Sequence, residues 1–99
     1  MGGHMQPQGH VQMMVRVFDY RQNPQTASDA PRWCLTEDNQ VAVEPGFSMD
    51  VLTDLSSRGH TILTDVAESV FGGAQLIYKA DDHYIAGSDH RKDGSAAGY

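Results

Sequence analysis

The chain is short of several things, and each shortage narrows its function. It has one cysteine, Cys34, in 99 residues, so an internal disulfide cannot form and no redox compartment is implied. No apolar run approaches the roughly 20 residues that a membrane-crossing helix needs. Seven Lys and Arg stand against thirteen Asp and Glu, for a formal net charge of −6. Nucleic acid and anionic membrane surfaces both call for clustered basic residues, so neither is an expected partner. The five histidines, His4, His10, His60, His83 and His90, lack metal-ligand spacing: there is no i, i+4 helical pair and no paired cysteines beside them. A metal-binding domain is therefore the weakest of the readings, and no cofactor is expected. None of the serines lies in a sharp strand-to-helix turn between glycines, and no nucleophile stands beside a base. Cys34 falls in Arg-Trp-Cys-Leu-Thr, which reads as a strand holding a small apolar residue rather than a reactive thiol.

What is present is a mixed pattern of helices and strands with a thin core, 39% apolar with ten glycines. Val11, Met14, Val15 and Phe18 recur at helical spacing and predict a helix over residues 8–21, with Gln12, Arg16 and Asp19 left for solvent. That apolar stripe is wide for a short helix and asks for more than one covering neighbour. Asn23-Pro24 starts a second helix, with Asn as cap and Pro at the first helical position; Pro31 ends it after Ala30. Strands are expected over 32–36 and 40–44, joined as a hairpin. Ser48 caps a third helix, Asp50 lies in its first turn, Phe47 is placed to staple Leu52, and Gly59 ends it after Arg58. A strand over 61–66 comes next, then a hairpin of 73–80 with 83–88 that turns at Asp81-Asp82. Residues 89–99 read as loop; within them Asp89-His90-Arg91-Lys92-Asp93 is either a solvated charge cluster or a salt-bridged closure of the C-terminus. The order is helix, helix, hairpin, helix, strand, hairpin, an α+β pattern.

One pair of residues carries potential chemistry. Gly2-Gly3 lies just ahead of the first helix, where unshielded backbone N–H groups can hold a developing oxyanion; a donor of that kind is worth about 3 kcal/mol in a transition state. Both glycines sit near a terminus, where fraying is expected.

Several segments, taken in order, resemble the γ-glutamyltransferase (γ-glutamyltranspeptidase) family. They are Gly2-Gly3-His4-Met5-Gln6-Pro7-Gln8-Gly9-His10, Asp19-Tyr20 with Asn23-Pro24, Asp29-Ala30-Pro31-Arg32-Trp33, Val43-Glu44-Pro45-Gly46-Phe47, Arg58-Gly59-His60, Phe71-Gly72-Gly73-Ala74-Gln75, and the closing Gly87-Ser88-Asp89-His90-Arg91 through Gly98-Tyr99. The resemblance covers essentially the whole chain. It implies that residues 1–99 are the C-terminal fragment of the small-subunit domain of an N-terminal-nucleophile (Ntn) hydrolase with an αββα sandwich. In such a protein a self-cleaving precursor exposes an N-terminal Thr. That Thr attacks a γ-glutamyl amide such as glutathione, and the acyl group passes to water, an amino acid or a peptide.

By this resemblance Gly2 and Gly3 supply the oxyanion-hole amides. The Thr nucleophile and the residues gripping the glutamyl group belong to the upstream part of the same precursor, the large subunit and the N-terminal half of the small one. The fragment by itself is then expected to be inactive, and Met1 to be the point where a longer polypeptide was cut. His90 stands where the family usually has the Pro of Asp-Pro-Arg. A rival reading is a freestanding binding or assembly module that completes a partner's sheet. The compartment is not legible in these residues.

Overall fold

The computed structural model describes residues 2–98; the expectations resting on Met1 and Tyr99 lie outside the described residues. The chain divides into two compact units. The first takes the chain up to Gly9 and again over Pro31–Gly72; the second takes His10–Ala30 and the chain from Gly73 onward. The element order is α1 (Met5–Met14), a π-helical turn (Val15–Asp19), α2 (Pro24–Asp29), β1 (Trp33–Leu35), β2 (Val41–Val43), α3 (Met49–Ser57), β3 (Ile62–Leu63), a 3₁₀ turn (Glu68–Phe71), β4 (Gln75–Lys79) and β5 (Tyr84–Ser88). This is the expected α+β order, with helix boundaries moved and the strand expected over 61–66 reduced to two residues.

The first unit is built on a mixed sheet in the order β1-β2-β3. β1 and β2 form the antiparallel hairpin, with Cys34 opposite Ala42. Its turn closes with Thr36 N–H donating to Gln40 O at 2.8 Å and Asn39 in the left-handed region at φ 57°. At the open end, Glu44 Oε2 accepts from Arg32 N–H at 2.8 Å, and the Arg32 guanidinium donates to Phe71 O at 3.2 Å. α3 is the crossover that lets β3 run parallel to β2. Ser48 caps α3, its Oγ accepting from Val51 N–H at 3.4 Å, and Gly59 comes after the helix at φ 98°. The core is small: Met5, Cys34, Ala42 and Phe71, with Leu63 and Val66 packed against it. Cys34 is buried there, as a strand residue of that pattern should be.

The second unit pairs a two-stranded antiparallel sheet with α2. β4 and β5 are in register from Gln75 opposite Ser88 to Lys79 opposite Tyr84. α2 crosses one face so closely that a Cβ at Gly87 would lie 2.9 Å from the Pro24 carbonyl carbon, which is why that strand position is glycine. α2 starts as the sequence indicates: Asn23 Oδ1 accepts from Thr26 N–H at 2.9 Å, with Pro24 at the first helical position. Its C-terminal carbonyls are met by two arginines. Arg16 donates to Ala27 O and Ala30 O at 3.1 and 3.2 Å, and Arg91 donates to Ser28 O and Ala30 O at 2.9 and 3.3 Å. Cations there also complement the helix dipole.

The first helix departs from its expected register. It begins three residues early, at Met5, and tolerates Pro7 because the amides of a first turn have no intrahelical partner to lose. Beyond Met14 the backbone widens into a π turn, with Tyr20 N–H donating to Val15 O at 3.1 Å. The extra residue in that turn rotates the positions beyond Met14, so a 3.6-residue period cannot be carried from Val11 to Phe18. The expected stripe is only partly covered: Val11 58%, Met14 49% and Phe18 55% are exposed, while Val15 is half-buried and Met13 buried, and Phe18 touches Tyr78 at a ring separation of 6.1 Å. Gln12, expected in solvent, is buried beside Met13 in sequence, and Arg16 turns inward to cap α2. Asp19 stays exposed as expected.

Candidate functional site

The glycine pair expected to matter sits at the entrance to α1. Gly2 and Gly3 both take positive φ, 102° and 45°, and form a turn whose carbonyls accept from the next helical amides: Met5 N–H to Gly2 O at 2.8 Å and Gln6 N–H to Gly3 O at 3.1 Å. Their own N–H groups donate to no described residue. Positive φ is what glycine adopts most readily, and at Gly3 no heavy atom lies within 4 Å of where a Cβ would stand. The arrangement is two adjacent amides, without a partner among the described residues, at the positive end of a helix, which suits a developing negative charge.

Two contacts hold the first turn of α1 to the first unit. Met5 inserts its side chain into the core. Gln8 reaches the outer edge of β1: Leu35 N–H donates to Gln8 Oε1 at 2.6 Å, and Gln8 Nε2 donates back to Leu35 O at 3.3 Å. The same Nε2 also reaches His4 O at 3.3 Å. The amide thus acts as a one-residue strand partner. Sequence reading missed this role of Gln8. Nothing in the sequence pairs position 8 with position 35, and only the resemblance of residues 5–10 pointed at the segment at all.

The second unit contains the same device. Gln25 Nε2 donates to Ser88 O at 2.9 Å, and Ser88 N–H donates to Gln25 Oε1 at 3.0 Å. Next to it, Asp89 and Arg91 of the closing signature form a buried pair, while His90, Lys92 and Asp93 stay exposed. Asp89 is 1% exposed and accepts from Ala74 N–H at 2.6 Å, from Arg91 N–H at 2.9 Å and from the Arg91 guanidinium at 3.1 Å. His90 Nδ1 lies 3.0 Å from Asp29 Oδ1. Of the two readings of this charge cluster, Asp89 and Arg91 realise the salt-bridged closure.

Other chemistry is sparse. Among the described residues no group of three or more His, Cys, Asp and Glu could hold a metal ion, and no helix is long and apolar enough to cross a membrane. His4 and His10 are exposed on α1 or its entry, and His60 and His83 lie in loops.

A helix entered through paired glycines, then α2, an α3 crossover and two separate sheet pieces make an α+β fold, and its likeness to solved Ntn-hydrolase chains makes it a portion of their αββα sandwich. The family model for gamma-glutamyltranspeptidase matches residues 1–99, and the chain belongs to that family. It is 30% identical over 104 residues to the glutathione hydrolase-like YwrD proenzyme of Bacillus subtilis, covering 98% of this chain and 20% of that protein. Among solved structures, the cephalosporin acylase from Bacillus halodurans superposes with a TM-score of 0.92 at 44% identity, over 100% of this chain and 19% of that one. The Bacillus anthracis transpeptidase CapD superposes at 0.84 with 24% identity, over 99% and 60%, a likeness of fold. The chain spans about a fifth of the length of the first two.

Proposed function

We propose that residues 1–99 form the C-terminal part of the small subunit of a γ-glutamyltransferase-like Ntn enzyme. The enzyme cleaves γ-glutamyl amides and passes the acyl group to water, an amino acid or a peptide. The observation that carries the reading is the pair of adjacent amides at Gly2 and Gly3, which donate to no described residue and stand at positive φ at a helix entrance in a member of this family.

In this mechanism, attack of an N-terminal Thr from the upstream part turns the amide carbonyl into a tetrahedral oxyanion. The N–H groups of Gly2 and Gly3 donate to that oxygen, lowering the barrier for both acylation and deacylation. The chain contributes stabilisation and no nucleophile, so by itself it does not turn over substrate. The likeness to a cephalosporin acylase supports a second substrate reading on the same chemistry, an acyl amide of the cephalosporin type.

Adding the upstream part of the precursor in trans is the test. The expected result is cleavage of γ-glutamyl p-nitroanilide by the mixture and none by the chain alone. Restored folding without cleavage of any acyl amide would favour a binding or assembly module that completes a partner's sheet.

A further inference from the structure

We propose that Gln8 is a positioning residue for the oxyanion amides of Gly2 and Gly3, an inference that rests on the acyl-transfer reading above. A single side-chain amide ties three backbone groups together. Its Oε1 accepts from Leu35 N–H at 2.6 Å, and its Nε2 is shared between Leu35 O and His4 O, each at 3.3 Å. Cys34 Sγ lies 3.8 Å from the same Nε2. His4 is the residue directly after Gly3, so the amide links the glycine turn to the edge of β1, one strand of the only sheet in this unit among the described residues.

The direction of the amide is dictated by the strand. Leu35 N–H is a donor and fixes Oε1 toward itself, which leaves Nε2 to face the two carbonyls. Met5 anchors the turn by packing, which resists separation but does not set orientation; the two-point amide bond does. Gln6 Cγ lies 3.1 Å from where a Cβ at Gly2 would stand, so the turn has little room to rearrange on that side. An oxyanion donor works only when aimed at the position the oxygen takes in the transition state. A displacement of about 1 Å can cost on the order of a hundredfold in rate.

The test uses the full-length protein with γ-glutamyl p-nitroanilide and its thioamide counterpart, in which sulfur replaces the carbonyl oxygen. An aimed oxyanion site favours the oxygen substrate strongly. Gln8→Met keeps the side chain's length and loses the amide. The expected result is a fall in kcat of about tenfold on the oxygen substrate, KM within about twofold, and a narrowed oxygen-to-sulfur ratio. Gln8→Glu keeps the acceptor for Leu35 N–H and cannot donate to His4 O while ionised. It should show the same defect near neutral pH and recover as the carboxyl protonates, toward its ordinary range of about 4.3.

An unchanged oxygen-to-sulfur ratio in folded Gln8→Met, checked by circular dichroism, overturns the positioning role and leaves Gln8 as a strand-edge cap. Should Gln8→Met fail to fold, the pH recovery of Gln8→Glu decides the question, and a flat profile overturns the proposal. Failure of the unaltered protein to turn over the anilide, or to discriminate oxygen from sulfur, removes the underlying reading instead.

Discussion

Each of the two units of this chain is held together by different physics. In the first, Met5, Cys34, Ala42 and Phe71 make a small apolar core under a three-stranded sheet. In the second, the most deeply buried side chains include Ser28 and Asp89, and α2 is held by Arg16, Arg91 and Gln25. The apolar residues of that unit go largely uncovered: Val11, Met14 and Phe18 on the first helix, and Ile77 at 76% and Tyr84 at 68% on one face of β4–β5. A two-stranded sheet is marginal in water, and here only one of its faces meets a helix. The contrast teaches that burial and polarity are not opposites. A buried polar network such as the one around Asp89 specifies one arrangement of the backbone where a thin apolar surface cannot.

Removing a charge from the network should have the largest effect. Asp89→Ala leaves the Arg91 guanidinium, 4% exposed, without its carboxylate, and opens the Ala74 amide. Loss of one partner of a buried pair costs about 3–5 kcal/mol. Urea unfolding of the chain should show it, with hydrogen exchange rising first in residues 73–98. If exchange rises equally in the first unit, the two are not held independently.

The next effect is steric. Gly87→Ala places a methyl 2.9 Å from α2's backbone and should cost about 1–3 kcal/mol, read as a lower urea midpoint. A neutral outcome would mean that α2 lifts off the sheet at no cost and that the network does not fix its position.

The smallest effect sharpens the comparison from outside. Ile77→Lys changes a residue that is three-quarters exposed and should leave the chain's own stability within about 0.5 kcal/mol. The same change should weaken assembly with the upstream part in a pull-down if that part covers this exposed face of β4–β5.

Local signals were legible in the sequence where they act over a few residues. The Asn23-Pro24 and Ser48 caps, the Gly59 stop and both hairpins appear as read. What could not be read depends on distant partners. Which face of α1 is buried is set by the elements beside it, and the π turn breaks the period on which the reading relied. The strand expected over 61–66 shrinks to Ile62–Leu63 because only those residues pair with β2. At the site, the glycine pair was visible as a motif, and its turn geometry is a consequence of residue type. Gln8 was not, because a side-chain amide bonding a strand 27 residues away leaves no local trace.

The most direct measurement is a crystal structure of the full-length protein carrying a boronate that mimics the tetrahedral intermediate. The account predicts a boronate oxygen about 2.7–3.1 Å from both Gly2 N and Gly3 N. An adduct whose oxygen is held by other donors, with the two glycine amides turned away, would contradict it.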